Sequence, residues 1–151
     1  MGTKALHTAS LSAQSYPAPS TVFVRVSFVK FDEPLSQAEV RREVQANRQQ
    51  VLRDLASMWE TESATMWAGL AKNGVKEVGR PSFAIENLGG QMAMIIRYGR
   101  TSSGNPARTM RVSQIHVPMG ADKVLISLTY QDGDAVANVA HDRLKASIVI
   151  R

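Results

Sequence analysis

Apolar side chains alternate with other residues along TVFVRVSFVKF, which covers residues 21–31. Successive side chains of a strand point to opposite faces, so this spacing predicts a strand with one half-buried face. The members of that face are Val22, Val24, Val26 and Phe28. Pro34 marks the predicted end of the strand, because proline cannot donate a ladder hydrogen bond.

A helical spacing follows the strand. Ser36 and Glu39 have the separation of a capping box, in which each side chain accepts a hydrogen bond from the backbone of the other residue. Apolar residues then recur three or four positions apart, which predicts a helix with one buried side. They are Val40, Val44, Val51, Leu55 and Met58 or Trp59. The pattern weakens over residues 60–63 and resumes up to Asn73 and Gly74, which predicts a break followed by a second helical piece.

After Gly74 the chain alternates again between turn residues, which predicts an antiparallel meander of four strands. The strands are predicted over 75–86, 91–101, 107–117 and around 124–130. Gly79 and Pro81 interrupt the first strand and predict an edge position or a bulge. In the last strand, Leu128 is predicted to face the core, while Lys123 and Ser127 face away from it.

Asp134 has the position of an N-cap for a final helix. The predicted apolar stripe of this helix is Val136, Val139, Ala140, Leu144 and Ile148. The order strand, helix, four-strand meander, helix predicts an α+β fold, with a single antiparallel sheet covered by helices. Residues 1–20 contain no acid and little apolar pattern, so we predict a flexible lead-in there and one domain over residues 21–151.

The composition supports a folded domain without assigning a chemistry. The chain has 151 residues, of which 44% are hydrophobic and 21% are charged, unlike disordered, collagen-like or membrane-spanning sequences. The absence of cysteine excludes disulfides and thiolate metal sites. A net charge of +5 and a pI near 9.9 favour anionic partners in general.

The residues that could carry catalysis are few and widely spaced. His7, His116 and His141 show no metal-ligand spacing, so we predict that they are packed or solvated. Asp142 follows His141, but adjacent helix residues point in different directions, so we do not expect a base and its orienting acid. The sequence therefore predicts no enzyme, no catalytic residue, no cofactor and no metal site.

Residues 87–121 contain arginines but no acidic residue. The arginines are Arg97, Arg100, Arg108 and Arg111. Symmetric pairing of the hairpin would place Arg97 opposite Arg111 and Arg100 opposite Arg108. Arg97 and Arg111 would then share an outward face with Ile95 and Ser113. Like charges directly opposite one another destabilise a hairpin, and a bound anion would relieve the repulsion. We predict an anion- or partner-binding site at these arginines; the alternative is that their side chains extend into water and bind nothing.

Three segments resemble the PsbP-like and DcrB-like fold group over residues 21–151. They read GRPSFAIENLGGQMAMIIRYGR, RTMRVSQIHVPMGADKVLISLTY and DRLKASIVI. The most specific elements are the turn at residues 88–91, which leads into a strand that ends in an Arg-Tyr pair, and the later strand that leads into an Asp-capped helix with a terminal Ser-Ile. The chain departs from the group at its start, where a polar segment replaces an apolar hairpin with a Pro and a Trp. The resemblance implies a PsbP-like sandwich and non-enzymatic binding, as in small envelope proteins, photosystem extrinsic proteins and effector chaperones.

The leading functional hypothesis is therefore a periplasmic or lipoprotein-like binding or accessory protein of the bacterial envelope, with a signal peptide removed before Met1. One alternative is a cytoplasmic secretion-effector chaperone, or another protein-binding module of the same fold. A second alternative is a basic nucleic-acid-binding domain, although the arginines lack the interleaved aromatic residues of a stacking platform. The expected partner is a protein or an anionic surface, bound by a monomer or a homodimer.

Overall fold

The computed structural model describes residues 4–14 and 21–151, with side chains described for residues 22–30 and 33–151. The elements are β1 (Lys4–Gln14), β2 (Thr21–Leu35), α1 (Gln37–Ala71), β3 (Glu77–Leu88), β4 (Gln91–Ser102), β5 (Asn105–Gln131) and α2 (Ala135–Ala146). The strands form one antiparallel sheet in the order β1-β2-β5-β4-β3. The predicted α+β class with a single antiparallel sheet is confirmed.

The long strand β5 reverses direction within its length. The backbone N–H of Asp132 donates to the carbonyl of Thr109 at 2.9 Å, whereas a straight strand would separate these residues by about 75 Å. Gly120 lies within the reversal and has a φ of +82°, a conformation that glycine adopts without a steric penalty. The first part of β5 pairs with β4 and the second part pairs with β2. The turn predicted at residues 118–122 lies at this reversal.

Strand β1 differs from the sequence prediction. Residues 4–14 lie within the predicted flexible lead-in, but they form a strand that pairs with β2 from Lys4 opposite Lys30 to Gln14 opposite Thr21. The prediction of flexibility is therefore wrong for this segment. Strand pairing is made by backbone groups, so a segment with a weak apolar pattern can still cover the edge of β2. The other residues of the predicted lead-in, 1–3 and 15–20, lie outside the described residues.

Helix α1 begins as predicted but bends elsewhere. The Ser36 hydroxyl accepts from the Glu39 N–H at 3.2 Å, and the Glu39 carboxylate accepts from the Ser36 N–H at 2.7 Å. The break predicted at residues 60–63 is wrong, because the helix continues through them. The non-helical residue is Asn47, with φ −159° and ψ 84°, and its side-chain oxygen accepts from the Gln50 N–H at 3.1 Å. Asn47 thus acts as an N-cap for the part of α1 that follows it.

Helices cover both faces of the sheet. On the α1 face, Leu55 and Trp59 of the helix pack against Ile96, Tyr98 and Val112 of the sheet. On the α2 face, a larger apolar cluster joins the central strands to Ala137 and the C-terminal segment. Its buried members include Val22, Ala93, Ile95, Ile115, Val117, Ile126 and Leu128. β3 is an edge strand with a register shift between Val78 and Ser82, so both readings of Gly79 and Pro81 are confirmed.

Helix α2 packs on the sheet through part of the predicted stripe, because Ala140, Leu144 and Ile148 contact the core cluster of the α2 face. Asp134 caps it as predicted, with its carboxylate accepting from the Ala137 N–H at 3.0 Å. Val136 and Val139 are 40% and 51% exposed, so their predicted burial is wrong. The buried residues of α2 are Ala137 and His141. Ala137 and His141 lie on the side of α2 that contacts the sheet, and the two valines lie on the side that faces solvent. Neither described helix is long and apolar enough to cross a membrane.

Candidate functional site

The arginine hairpin is paired in a different register from the predicted one. Arg97 lies opposite Ser113, and Arg111 lies opposite Gly99. A register shift just before the β4–β5 turn accounts for the displacement, which symmetric pairing does not anticipate. The predicted opposition of two arginine pairs is therefore wrong. Arg97 and Arg111 are diagonal neighbours on one face, so their repulsion is weaker than that of directly opposed charges.

The structure separates the arginines predicted to form one site. Arg97 and Arg111 line the same cavity on the α2 face. Arg100 lines a different cavity on the α1 face. Arg108 is exposed near the β4–β5 turn and is not among the residues that line either cavity. Only two of the four predicted residues are thus brought together.

The face that carries Arg97 and Arg111 is not an outer surface. Ile95 is fully buried on it and Ser113 is only 3% exposed. The prediction that this face points outward is wrong, because α2 packs over it. The two arginines extend from the rim of this covered face, beside the helix.

A cavity of about 340 Å³ lies between the sheet and α2. We call it the arginine cavity. Its polar lining residues include Arg80, Ser82, Arg97, Arg111, Ser113, Tyr130, Asn138, His141 and one carboxylate, Asp142. Its volume lies at the lower end of the range for small-ligand sites, and several donors converge on it. The sequence prediction missed Arg80, which lies in the interrupted part of β3 and is brought to the cavity by the sheet.

Carboxylates within the chain already pair with both predicted arginines. Arg97 contacts Glu86 at 3.2 Å, and Lys145 contacts the other oxygen of Glu86 at 2.7 Å. Arg111 contacts Asp132 at 3.2 Å. Burial acts to raise the pKa of Glu86, but its hydrogen bonds and charge interactions with Lys145 and Arg97 outweigh burial and lower it.

These ion pairs leave room for a ligand. The side chains of Arg97 and Arg111 are 40% and 48% exposed, so water still reaches them. A guanidinium has five N–H donors, and a single carboxylate contact does not use them all. The pairs therefore orient the two guanidinium groups at the cavity without neutralising every donor.

Two linked hydrogen bonds lie at the base of the cavity, and the first of them is buried. Ser113 Oγ and His141 Nε2 are 3.0 Å apart, and His141 Nδ1 and Asp142 Oδ1 are also 3.0 Å apart. The expectation that His141 and Asp142 would not pair is therefore wrong. Side chains one residue apart on a helix diverge by about 100°. The carboxylate of Asp142, which is 70% exposed, nevertheless reaches the ring of the buried histidine.

The order of these groups matches that of a serine nucleophile, its base and an orienting acid. Here Ser113 lies within a paired strand and is 3% exposed, so its hydroxyl is hard for a substrate carbonyl to approach. Asp142 is mostly in water, which weakens its hold on the imidazole. The arrangement does satisfy two buried polar side chains, and it presents polar atoms to a ligand in the cavity.

Tyr130 closes one side of the cavity. Its ring lies 4.9 Å from the His141 ring, centroid to centroid, and its hydroxyl donates to Asn138 at 3.0 Å. Burial, assisted by the nearby carboxylates of Asp142 and Asp132, raises the pKa of Tyr130. The hydroxyl therefore stays protonated at neutral pH and remains a hydrogen-bond donor.

A second buried polar pair lies on the α1 face. Lys123 is 7% exposed, so its predicted outward position is wrong, and its Nζ lies 3.1 Å from His116 Nδ1. Burial, followed by the charge of Lys123, lowers the pKa of His116 to about 3. Burial also lowers the pKa of Lys123, against the opposing effect of Glu62. His116 and His141 are packed, as predicted, at 5% exposure each, while the His7 side chain lies outside the described ones.

No protein-family model matches this chain, and no curated protein matches it either. Within residues 4–14 and 21–151, no group of three or more His, Asp or Glu is placed to hold a metal ion. The candidate functional site is therefore the arginine cavity, which is defined by its geometry alone.

Proposed function

We propose that this chain is a non-enzymatic binding or accessory protein of the bacterial cell envelope, which recognises an anionic group of its partner at the arginine cavity. The carrying observation is the convergence of Arg80, Arg97 and Arg111 on one cavity with the buried Ser113–His141 pair at its base. Guanidinium groups bind carboxylates and phosphates through paired N–H donors. The envelope location and the PsbP-like relationship rest on the sequence resemblance alone.

A carboxylate or phosphate of the partner fits this cavity better than a long polyanion. The cavity is small and bounded by α2, and the chain's own acids, Glu86 and Asp132, already hold two of the arginines. An incoming anion therefore shares the guanidinium groups with these acids rather than meeting an uncompensated surface. This arrangement predicts selectivity for compact anions and moderate dependence on salt.

The test compares the double variant Arg97→Gln, Arg111→Gln with the wild type. Binding of inorganic phosphate and of a short acidic peptide is measured by calorimetry at low and moderate salt. The charge-matched control is Arg108→Gln with Arg42→Gln, because both of these arginines are exposed and neither lines the cavity. We expect the first variant to lose about tenfold or more in affinity and the control to lose little. Equal affinity in all three proteins would overturn the proposal.

The non-enzymatic part of the proposal has a separate test at Ser113. A fluorophosphonate probe labels serine nucleophiles that an adjacent histidine activates. We expect no labelling of the folded protein, because Ser113 is held in the sheet and almost fully buried. Stoichiometric labelling that disappears in both Ser113→Ala and His141→Gln would show an active nucleophile and would refute the non-enzymatic assignment.

A further inference from the structure

A groove on the α1 face, away from the arginine cavity, has the form of a ligand site. Its wide end is a cavity of about 590 Å³ beside the C-terminal part of α1. A narrower cavity of about 280 Å³ continues from it and shares Met66 and Gln114 with it. The wide end alone lies within the volume range of small-molecule sites. We call the two together the α1 groove.

Apolar side chains make up just over half of the residues that line the α1 groove. Met66 and Leu70 of the helix face Phe23 and Val112 of the sheet at the wide end. At the narrow end the helix contributes Met58 and Trp59, and the sheet contributes Val29, Ile96 and Leu125. Phe23 is 52% exposed, which leaves a large apolar surface in water beside the groove. Methionine side chains adapt to ligands of varied shape, so this lining suits a flexible hydrocarbon chain.

The charges at the wide end are cationic. Of the described residues that line it, only Arg25 and Arg100 are charged. Neither takes part in the ion pairs found among the described residues, in contrast to Arg97 and Arg111. Arg100 donates to the neighbouring Thr101 carbonyl at 3.2 Å, which leaves other donors of its guanidinium for a ligand. Glu77 lies opposite Arg100 in the β3–β4 register but forms no ion pair with it among the described residues, so the lining of the wide end is cationic and contains no carboxylate.

The charge at the narrow end is compensated within the protein. Lys123 is buried against His116 and interacts with Glu62, and all three line this end. A ligand carboxylate placed there would compete with Glu62 for the same ammonium group. The anionic end of a ligand thus belongs at Arg25 and Arg100, with its apolar part directed towards Trp59.

We propose that the α1 groove binds a long-chain fatty acid, with the carboxylate between Arg25 and Arg100 and the hydrocarbon chain running past Met66 to Trp59. A paired guanidinium–carboxylate contact supplies the orientation, and burial of the chain supplies the affinity. The narrow end is a cavity of only about 280 Å³, which favours a free fatty acid over a two-chain phospholipid. This site is on the opposite face from the arginine cavity, so the proposal stands independently of the function proposed above.

The first test uses palmitate and its uncharged analogue cetyl alcohol. Binding is followed by calorimetry and by tryptophan fluorescence, to which Trp59 at the narrow end and the neighbouring Trp67 both contribute. We expect saturable binding of palmitate and about tenfold weaker binding of the alcohol, because only the acid engages the arginines. Absence of palmitate binding, or equal binding of the two ligands, would overturn the proposal. Binding confined to phosphatidate vesicles would overturn it as well, in favour of a lipid surface.

The second test locates the carboxylate. Arg25→Gln with Arg100→Gln should weaken palmitate about tenfold and leave the alcohol unchanged, whereas the charge-matched control Arg42→Gln with Arg108→Gln should change neither ligand. Met66→Trp fills the passage between the two cavities and should weaken both ligands. Cooperative urea unfolding establishes that each variant is folded. Full palmitate affinity in the Arg25→Gln, Arg100→Gln variant would refute the assigned orientation. A Lys123→Met variant that loses affinity for palmitate but not for the alcohol would refute it as well.

Discussion

The buried His116 makes the stability of this protein depend on pH in a defined window. Its Nδ1 accepts from the Lys123 ammonium at 3.1 Å, and its Nε2 lies 3.3 Å from Gln114 Oε1, to which it donates in this tautomer. Both contacts suit a neutral imidazole. Adding a proton at Nδ1 would replace an acceptor with a cation beside Lys123, in a site that is 5% exposed. We therefore expect the folded protein to resist protonation of this ring.

The size of the effect follows from proton linkage. The pKa of His116 is about 3 in the folded protein and about 6.5 in an unfolded chain. The unfolded state binds more protons between these values, so the contribution to stability is complete above pH 6.5 and is lost as the pH falls towards 3. Between pH 7.5 and pH 5 the loss is about 2 kcal/mol, a large share of the stability of an ordinary domain. This figure requires only that the folded pKa lies well below 5.

The assay is urea unfolding of the wild type and of His116→Gln at pH 7.5 and pH 5. Glutamine keeps an acceptor for Lys123 but does not titrate, so the wild type should lose about 2 kcal/mol more than the variant over this interval. Every other titrating group is common to both proteins and cancels in the difference. If the variant folds poorly, an NMR titration of the His116 ring in the wild type tests the same hypothesis. We expect no protonation of this ring down to pH 5. Equal losses in the two proteins, or a ring that protonates near pH 6.5, would refute this reasoning.

Other substitutions test the packing. Leu128→Ala should cost about 2 to 5 kcal/mol in unfolding free energy, since Leu128 is 1% exposed, while Ser127→Ala should cost under about 1 kcal/mol; similar costs would contradict the assigned faces. Removing residues 1–14 should cost about 2 kcal/mol or more, because β2 loses one of its two partner strands, and an unchanged melting temperature would argue against β1. Gly99→Ala should destabilise the protein by more than about 1 kcal/mol, because the added Cβ would lie 2.7 Å from a β3 carbonyl oxygen. Gly69→Ala, with open space around the added Cβ, should instead stabilise the protein by roughly 0.5 to 1 kcal/mol. Thermal or urea unfolding measures both effects.

Local patterns identified the elements that depend on neighbouring residues in the chain. The capping box at Ser36 and the N-cap at Asp134 form as predicted, because each joins groups three residues apart. The alternation around Leu128 predicted its burial. These signals are short in range, so the chain encodes them without reference to the rest of the fold.

Contacts between residues far apart in the chain determined the features that the local sequence patterns did not specify. Residues 4–14 form a strand because the edge of β2 is available, and backbone pairing requires no particular side chains. Lys123 occupies a polar position by alternation, yet both faces of this sheet are covered, so alternation could not tell inside from outside.

The candidate sites show the same division. The sequence indicated Arg97 and Arg111 because symmetric pairing would place them opposite each other, but the β4–β5 register does not contain this pairing. What joins them to Arg80 and to the Ser113–His141 pair is the packing of α2 across three strands. The sequence by itself determined the fold class, the helix starts and which residues carry charge. Only the tertiary structure decided the register, the covered faces and the cavities, because these depend on which distant surfaces meet when the apolar faces are buried.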